Sequence, residues 1–110
     1  MASETGGPAR RLGILLATAP GHPNTATVVG LARAARERGD EVSLYLIDEG
    51  VRHLLGEEVP VLGARLGVRL YACAYGCERR DVPRSDRALF AGLYVLYSIV
   101  QGSDRFLAFT

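Results

Sequence analysis

Leu12 to Thr18 reads LGILLAT, an apolar run without alternation, and this stretch narrows the fold more than any other. A strand with one wet face alternates apolar and polar residues, so a run like this belongs to a strand covered on both sides. Such strands build parallel sheets flanked by helices. The rest of the chain repeats the theme. Ala19 to Pro23 is a loop, and Asn24 or Thr25 caps a helix over Thr25 to Arg38. That helix sets Val28, Val29, Leu31, Ala32 and Ala35 towards a core, with Arg33, Arg36, Glu37 and Arg38 towards solvent. Gly39 ends it. Glu41 to Ile47 is a second strand, Asp48 to Gly50 a turn and Val51 to Leu55 a short helix. Pro60 to Leu66 fits either a loop or an irregular helix. A third strand runs over Val68 to Ala72, and a helix follows Cys73. After a loop at Asp81 to Arg84, Ser85 or Asp86 caps a last helix over about Arg87 to Gln101, and Arg105 to Phe109 is a closing strand. Strands alternating with helices imply an α/β three-layer sandwich with a mainly parallel sheet of about four to five strands.

A chain of 110 residues is one domain with one hydrophobic core. The expected division is a flexible tail over 1–10 and a single α/β domain over 11–110. A formal net charge of +1 leaves no footprint for direct nucleic-acid binding or for an anionic membrane. Two cysteines make no disulfide scaffold, which points to a reduced, cytoplasmic setting. Arg10 and Arg11 before LGILLATA superficially suggest a signal peptide, but the apolar run is short and a well-patterned helix follows instead of a cleavage site. No stretch approaches the roughly twenty apolar residues of a membrane span.

Candidate chemistry centres on Val68 to Asp81, VRLYACAYGCERRD. Cys73 falls where the carboxyl end of a strand meets the first turn of a helix. Unpaired amides and the positive end of the helix dipole favour an anion there, and so favour thiolate over thiol. A plain buried cysteine is the competing reading. Cys77 lies on the same helical face, as packing, as a resolving thiol or as a second sulfur acceptor. An unstrained disulfide within that helix is disfavoured, so packing leads. His22, in the loop after the first strand, is placed to approach Cys73 across the crevice, or is simply an exposed loop histidine. Arg79 and Arg80 either supply positive potential near the sulfur or serve the helix carboxyl end. Tyr71 and Tyr75 flank the cysteine as candidate pocket walls. Asp48 and Glu49 read as a turn. His22 and His53 are too scattered from the cysteines for a structural zinc motif, and no metal or cofactor is expected. Phosphate-binding glycine motifs and a G-x-S-x-G elbow are absent. Leu89 to Val100 is apolar nearly all round the last helix, more than one sheet face buries, which points to a homo-oligomer.

Several features fall together: the apolar first strand, a helix closing in ERGDEV, a strand into DEGV, then GVRLYACAYGCERRDVP and a terminal SDRFLAF. From about Leu12 to Phe109 the chain resembles the DsrE/DsrF family of small sulfur-relay proteins, including its TusD-like members. The resemblance implies a parallel α/β sandwich of flavodoxin-like topology and assembly as trimers or hexamers, homomeric or with sister subunits. It also implies sulfur carrier or sulfurtransferase activity between donor and acceptor proteins, in which the cysteine matching Cys73 takes up a persulfide sulfur and passes it on. Cys77 stands where TusD-like chains more often carry an apolar residue, and the segment before the third strand is shorter. Readings left open beside this one are a catalytically silent oligomeric module and a thiol redox sensor.

Overall fold

The computed structural model describes residues 10–110, so the expected tail over 1–10 lies, except for Arg10, outside the described residues. The elements are β1 (Arg11–Leu16), α1 (Asn24–Glu37), β2 (Glu41–Leu46), a 3-10 helix (Asp48–Leu55) and α2 (Pro60–Leu66). They continue with β3 (Arg69–Cys73), α3 (Ala74–Arg79), β4 (Leu89–Ala91), α4 (Leu93–Gly102) and β5 (Arg105–Phe109). Every strand pairing is parallel, and the order across the sheet is β4-β3-β2-β1-β5. A five-stranded parallel sheet with helices on its faces is the architecture that the apolar runs imply. Among the described residues no helix is long and apolar enough to cross a membrane.

Successive side chains on a strand point to opposite faces, and the register sorts them into rows. Ile14, Leu44 and Leu70 form one row and Leu16, Leu46 and Ala72 the next, all on the face covered by α1 and α2. None of the six is more than 5% exposed. Burying an aliphatic side chain of this size stabilises by roughly 1.5–3 kcal/mol, so these rows hold the sheet to its helices. The other face carries Gly13, Leu15, Ser43, Tyr45, Tyr71 and Cys73, and α4 crosses it at Gly13. A Cβ there would come within 2.9 Å of Ile99 Cγ2, so only glycine lets the helix lie this close. This second layer is thin. No residue of α4 is buried, and Leu93, Tyr94 and Tyr97 are each at least 60% exposed.

Local chemistry explains where the elements depart from the sequence reading. Neither Asn24 nor Thr25 caps α1 with its side chain; His22 Nδ1 accepts the Asn24 N–H at 3.0 Å instead. Gly39 follows the last turn with φ of 90°, the left-handed conformation expected of a glycine there. Arg36 does not point into solvent. Its guanidinium donates to the carbonyls of Leu66 and Asp40, both at 2.7 Å, and ties α1 to the end of α2. Asp48 to Leu55 form one continuous 3-10 helix, where a turn and a separate helix were expected.

The largest departure is the last helix, which begins only at Leu93. Leu89–Ala91 are an edge strand beside β3, with Tyr71 opposite Leu89 and Cys73 opposite Ala91. Arg87 holds this segment away from helix by donating to the Leu54 and Gly56 carbonyls and pairing with Glu57. The extended backbone of Gly92 then separates strand from helix.

His53 is 3% exposed and its Nε2 lies 2.9 Å from the Thr18 carbonyl oxygen, so that nitrogen must carry the hydrogen. Burial pushes the imidazole below the ordinary histidine range, against smaller opposing contributions from the Thr18 bond and from Glu58. As pH falls, the unfolded chain takes up this proton first, at about 6.5. The contribution of neutral His53 is therefore complete above that value and is lost as pH drops through the lower, folded-state value. Thermal melts should show lower stability at about pH 5.5 than at about pH 7.5, and His53→Gln should flatten that difference. A slope unchanged by the substitution would assign it to other groups.

Candidate functional site

Cys73 is the last residue of β3 and caps α3, with its Sγ accepting the Gly76 N–H at 3.3 Å. The sulfur takes the place that a serine or aspartate oxygen usually holds at a helix start. With six residues, α3 is too short for much of a macrodipole. The several amides and dipole expected from sequence reduce here to one amide aimed at one sulfur.

Cys73 is only 7% exposed, yet it lines an open cavity of about 690 Å³. The 3-10 helix contributes Asp48, Glu49 and Arg52 to the walls, α3 contributes Tyr75 and Arg79 with Arg80 just after its end, and Gly92 and Leu93 close the side next to α4. Glu49 is shared: Arg80 Nε donates to Oε2 at 2.8 Å and Arg52 Nε to Oε1 at 2.5 Å. Those bonds, that of Arg80 foremost, hold its carboxyl below the usual carboxylate range. Arg79 donates to the Tyr75 hydroxyl at 2.7 Å and lies 5.6 Å from the centre of its ring. Arg79 has no carboxylate partner among the described residues. Three guanidiniums thus face two carboxylates, and the cavity leans towards anions.

Of the residues singled out from sequence, Cys73, Arg79, Arg80 and Tyr75 meet at this cavity. Arg80 also donates to the Gly76 carbonyl at 3.4 Å, so it serves its own helix as well as the rim. Cys77 is 2% exposed and does not line the cavity; its thiol is pushed up by burial and then by Cys73, with Arg84 and Arg80 opposing. Both cysteines are free. His22 is exposed and engaged with the start of α1, and it lines no part of the cavity. Tyr71 lies outside it too. His53 is occupied by Thr18, and no cluster suited to a metal ion occurs among the described residues.

The sequence reading missed Asp48, Glu49 and Arg52 as site residues, and also Tyr45. Asp48 adopts φ of 51°, uncommon for a residue with a side chain, at the point where β2 turns into the 3-10 helix. Tyr45 is fully buried, and its hydroxyl donates to the Ala91 carbonyl at 3.0 Å. Burial foremost, and then the nearby sulfurs of Cys73 and Cys77, make this phenol far harder to ionise than an ordinary tyrosine. An isolated tyrosine in a strand gives no sequence signal of this kind.

A larger groove of about 1050 Å³ lies between α2 and β4, but neither cysteine nor histidine lines it.

The crystal structure of the ychN protein from E. coli matches this chain with a TM-score of 0.78, covering 93% of this chain and 100% of that one. The two share a fold. Sequence identity is 19%, so the likeness concerns the architecture alone. No protein-family model matches the chain, and no curated protein matches its sequence.

Proposed function

We propose that this protein is an intracellular sulfur carrier of the DsrE/DsrF type, with Cys73 as the residue that takes up and hands on sulfane sulfur. The observation that carries the reading is the sulfur itself: an amide donates to Sγ from behind, and an arginine-rimmed cavity opens in front. The parallel sandwich shared with the ychN protein agrees with such a role, and two free cysteines agree with a reducing compartment. In uptake, Cys73 thiolate attacks the outer sulfur of a donor persulfide, R–S–SH. A new S–S bond forms at Sγ, the donor's S–S bond breaks, and its electron pair leaves on R–S⁻. Nothing is oxidised overall, and no cofactor is needed. Hand-on is the same exchange with Cys73 as leaving group, so the protein acts as relay or sulfurtransferase according to its partners. Intact-protein mass spectrometry after exposure to a low-molecular-mass persulfide should show one added sulfur atom, absent if the thiols are alkylated first.

The small exposure of Cys73 favours a second reading, a silent module that binds a ligand or partner through the same fold. Alkylation kinetics separate the two, since a silent module leaves Cys73 unreactive with iodoacetamide at neutral pH.

The protein is also proposed to act as a homo-oligomer joined through α4, a trimer or hexamer by the family resemblance. Tyr94 is 81% exposed on a helix with no buried residue, beside Leu93 and Tyr97. Apolar area of this kind on one element is more than a monomer ordinarily leaves wet. Placing arginine at Tyr94 and Tyr97 together should reduce the mass in solution to that of one chain, by light scattering. A wild type that is already monomeric would refute the assembly.

A further inference from the structure

Tyr45 stands behind Cys73, and the transfer chemistry above gives it no task. It pairs with Tyr71 across β2 and β3, and Tyr71 is two residues before Cys73, so all three side chains lie on one face of the sheet. Cys73 in turn pairs with Ala91, whose carbonyl accepts the Tyr45 hydroxyl at 3.0 Å. The phenol therefore spans β3 beneath the cysteine and ends at the residue opposite it. At 0% exposure it stands on the protein side of the cysteine and lines no part of the cavity.

We propose that the Tyr45 hydroxyl is an inner hydrogen-bond donor to Cys73 Sγ, turning to it from the Ala91 carbonyl whenever that sulfur carries negative charge. The proposal rests on the sulfur-carrier reading and assigns a residue to its release step. When an acceptor attacks the outer sulfur of the Cys73 persulfide, the bond between the two sulfurs breaks and its electron pair stays on Sγ. The charge then develops where the hydroxyl can reach it. Burial and the nearby sulfurs keep the phenol protonated, so it gives a hydrogen bond and not a proton. Other titratable or charged groups about the sulfur are Asp48, Glu49 and Arg52 from the 3-10 helix, Tyr75, Cys77 and Arg79 from α3, and Arg80 just after it. Tyr45→Phe leaves all of them in place.

The test uses the full chain carrying Cys77→Ala, so that Cys73 is the single thiol. Cys73 is loaded with sulfane sulfur and discharged with cyanide, which leaves as thiocyanate and returns Sγ as thiolate. Tyr45→Phe should slow this discharge about tenfold, the scale of one hydrogen bond to a charged atom. Replacing Tyr45 with 3-fluorotyrosine, a stronger donor of the same shape, should speed it. Iodoacetamide gives an independent readout: Tyr45→Phe should alkylate several-fold more slowly near pH 7, but no more slowly near pH 10, where thiols are ionised. Equal rates in wild type and Tyr45→Phe overturn the proposal, and so does equal slowing at both pH values, which marks a packing defect. If wild type takes up no sulfane sulfur, the sulfur-carrier reading falls, and the alkylation pair alone decides the role of Tyr45.

Discussion

Cys73→Ser should lose all detectable uptake of sulfane sulfur while melting at nearly the wild-type temperature. Both halves follow from the geometry. A neutral hydroxyl does not displace a thiolate from a persulfide at pH 7, and no second thiol lines the cavity, because Cys77 is buried outside it. Burial also pushes the Cys77 thiol up, so it stays protonated and unlabelled. Stability should hold within about 0.5 kcal/mol, because serine keeps the cap: its hydroxyl oxygen accepts the Gly76 N–H as well as sulfur does or better. Intact mass after persulfide exposure, beside a thermal melt of the same sample, checks both. Label on the serine variant at the wild-type level would remove Cys73 from the chemistry altogether.

Gly50→Ala should be the most damaging single methyl in the molecule. A Cβ at this position would fall inside the van der Waals radius of the Leu16 carbonyl oxygen and press on its carbon. Those atoms are backbone at the end of β1, and the same oxygen accepts the Ile47 N–H at 3.1 Å, so neither partner yields without loosening β1 from β2. A clash with rigid main chain costs about 3 kcal/mol or more, equivalent to a fall of about 10 °C or more in Tm for a chain of this size. The 3-10 helix that contains Gly50 also carries Asp48, Glu49 and Arg52, so the cavity should distort along with the fold. An alanine variant melting within about 2 °C of wild type would show that the two segments have room for the methyl and refute the clash.

Strands β1 to β3 and β5 were legible because each is an apolar run set apart by turn-formers, and α1 because its apolar spacing and Gly39 agree. The strand β4 was not, since LFAGLYVLY satisfies helical spacing as well as it satisfies a short edge strand. What settles it is the reach of Arg87 back to Leu54 and Gly56, a contact some thirty residues distant in sequence. The place of Cys73 at the junction of β3 and α3 was legible because a strand running into a helix through a cysteine is a local pattern. Glu49, Arg52 and Tyr45 join it only through folding: two arrive on the 3-10 helix packed against α3, and the third through the register of β2 with β3. Of the two readings of His22, the structure shows the exposed loop histidine, its ring engaged with the start of α1.

The order of strands leaves a last point. The chain steps outward from β1 through β2 and β3 to β4, then returns to lay β5 on the far side of β1. Cys73 therefore belongs to the last but one strand, close to a margin of the molecule and away from its middle. Under the sulfur-carrier reading, a visitor as blunt as another folded protein would need only to graze that corner, with no narrow gorge to thread.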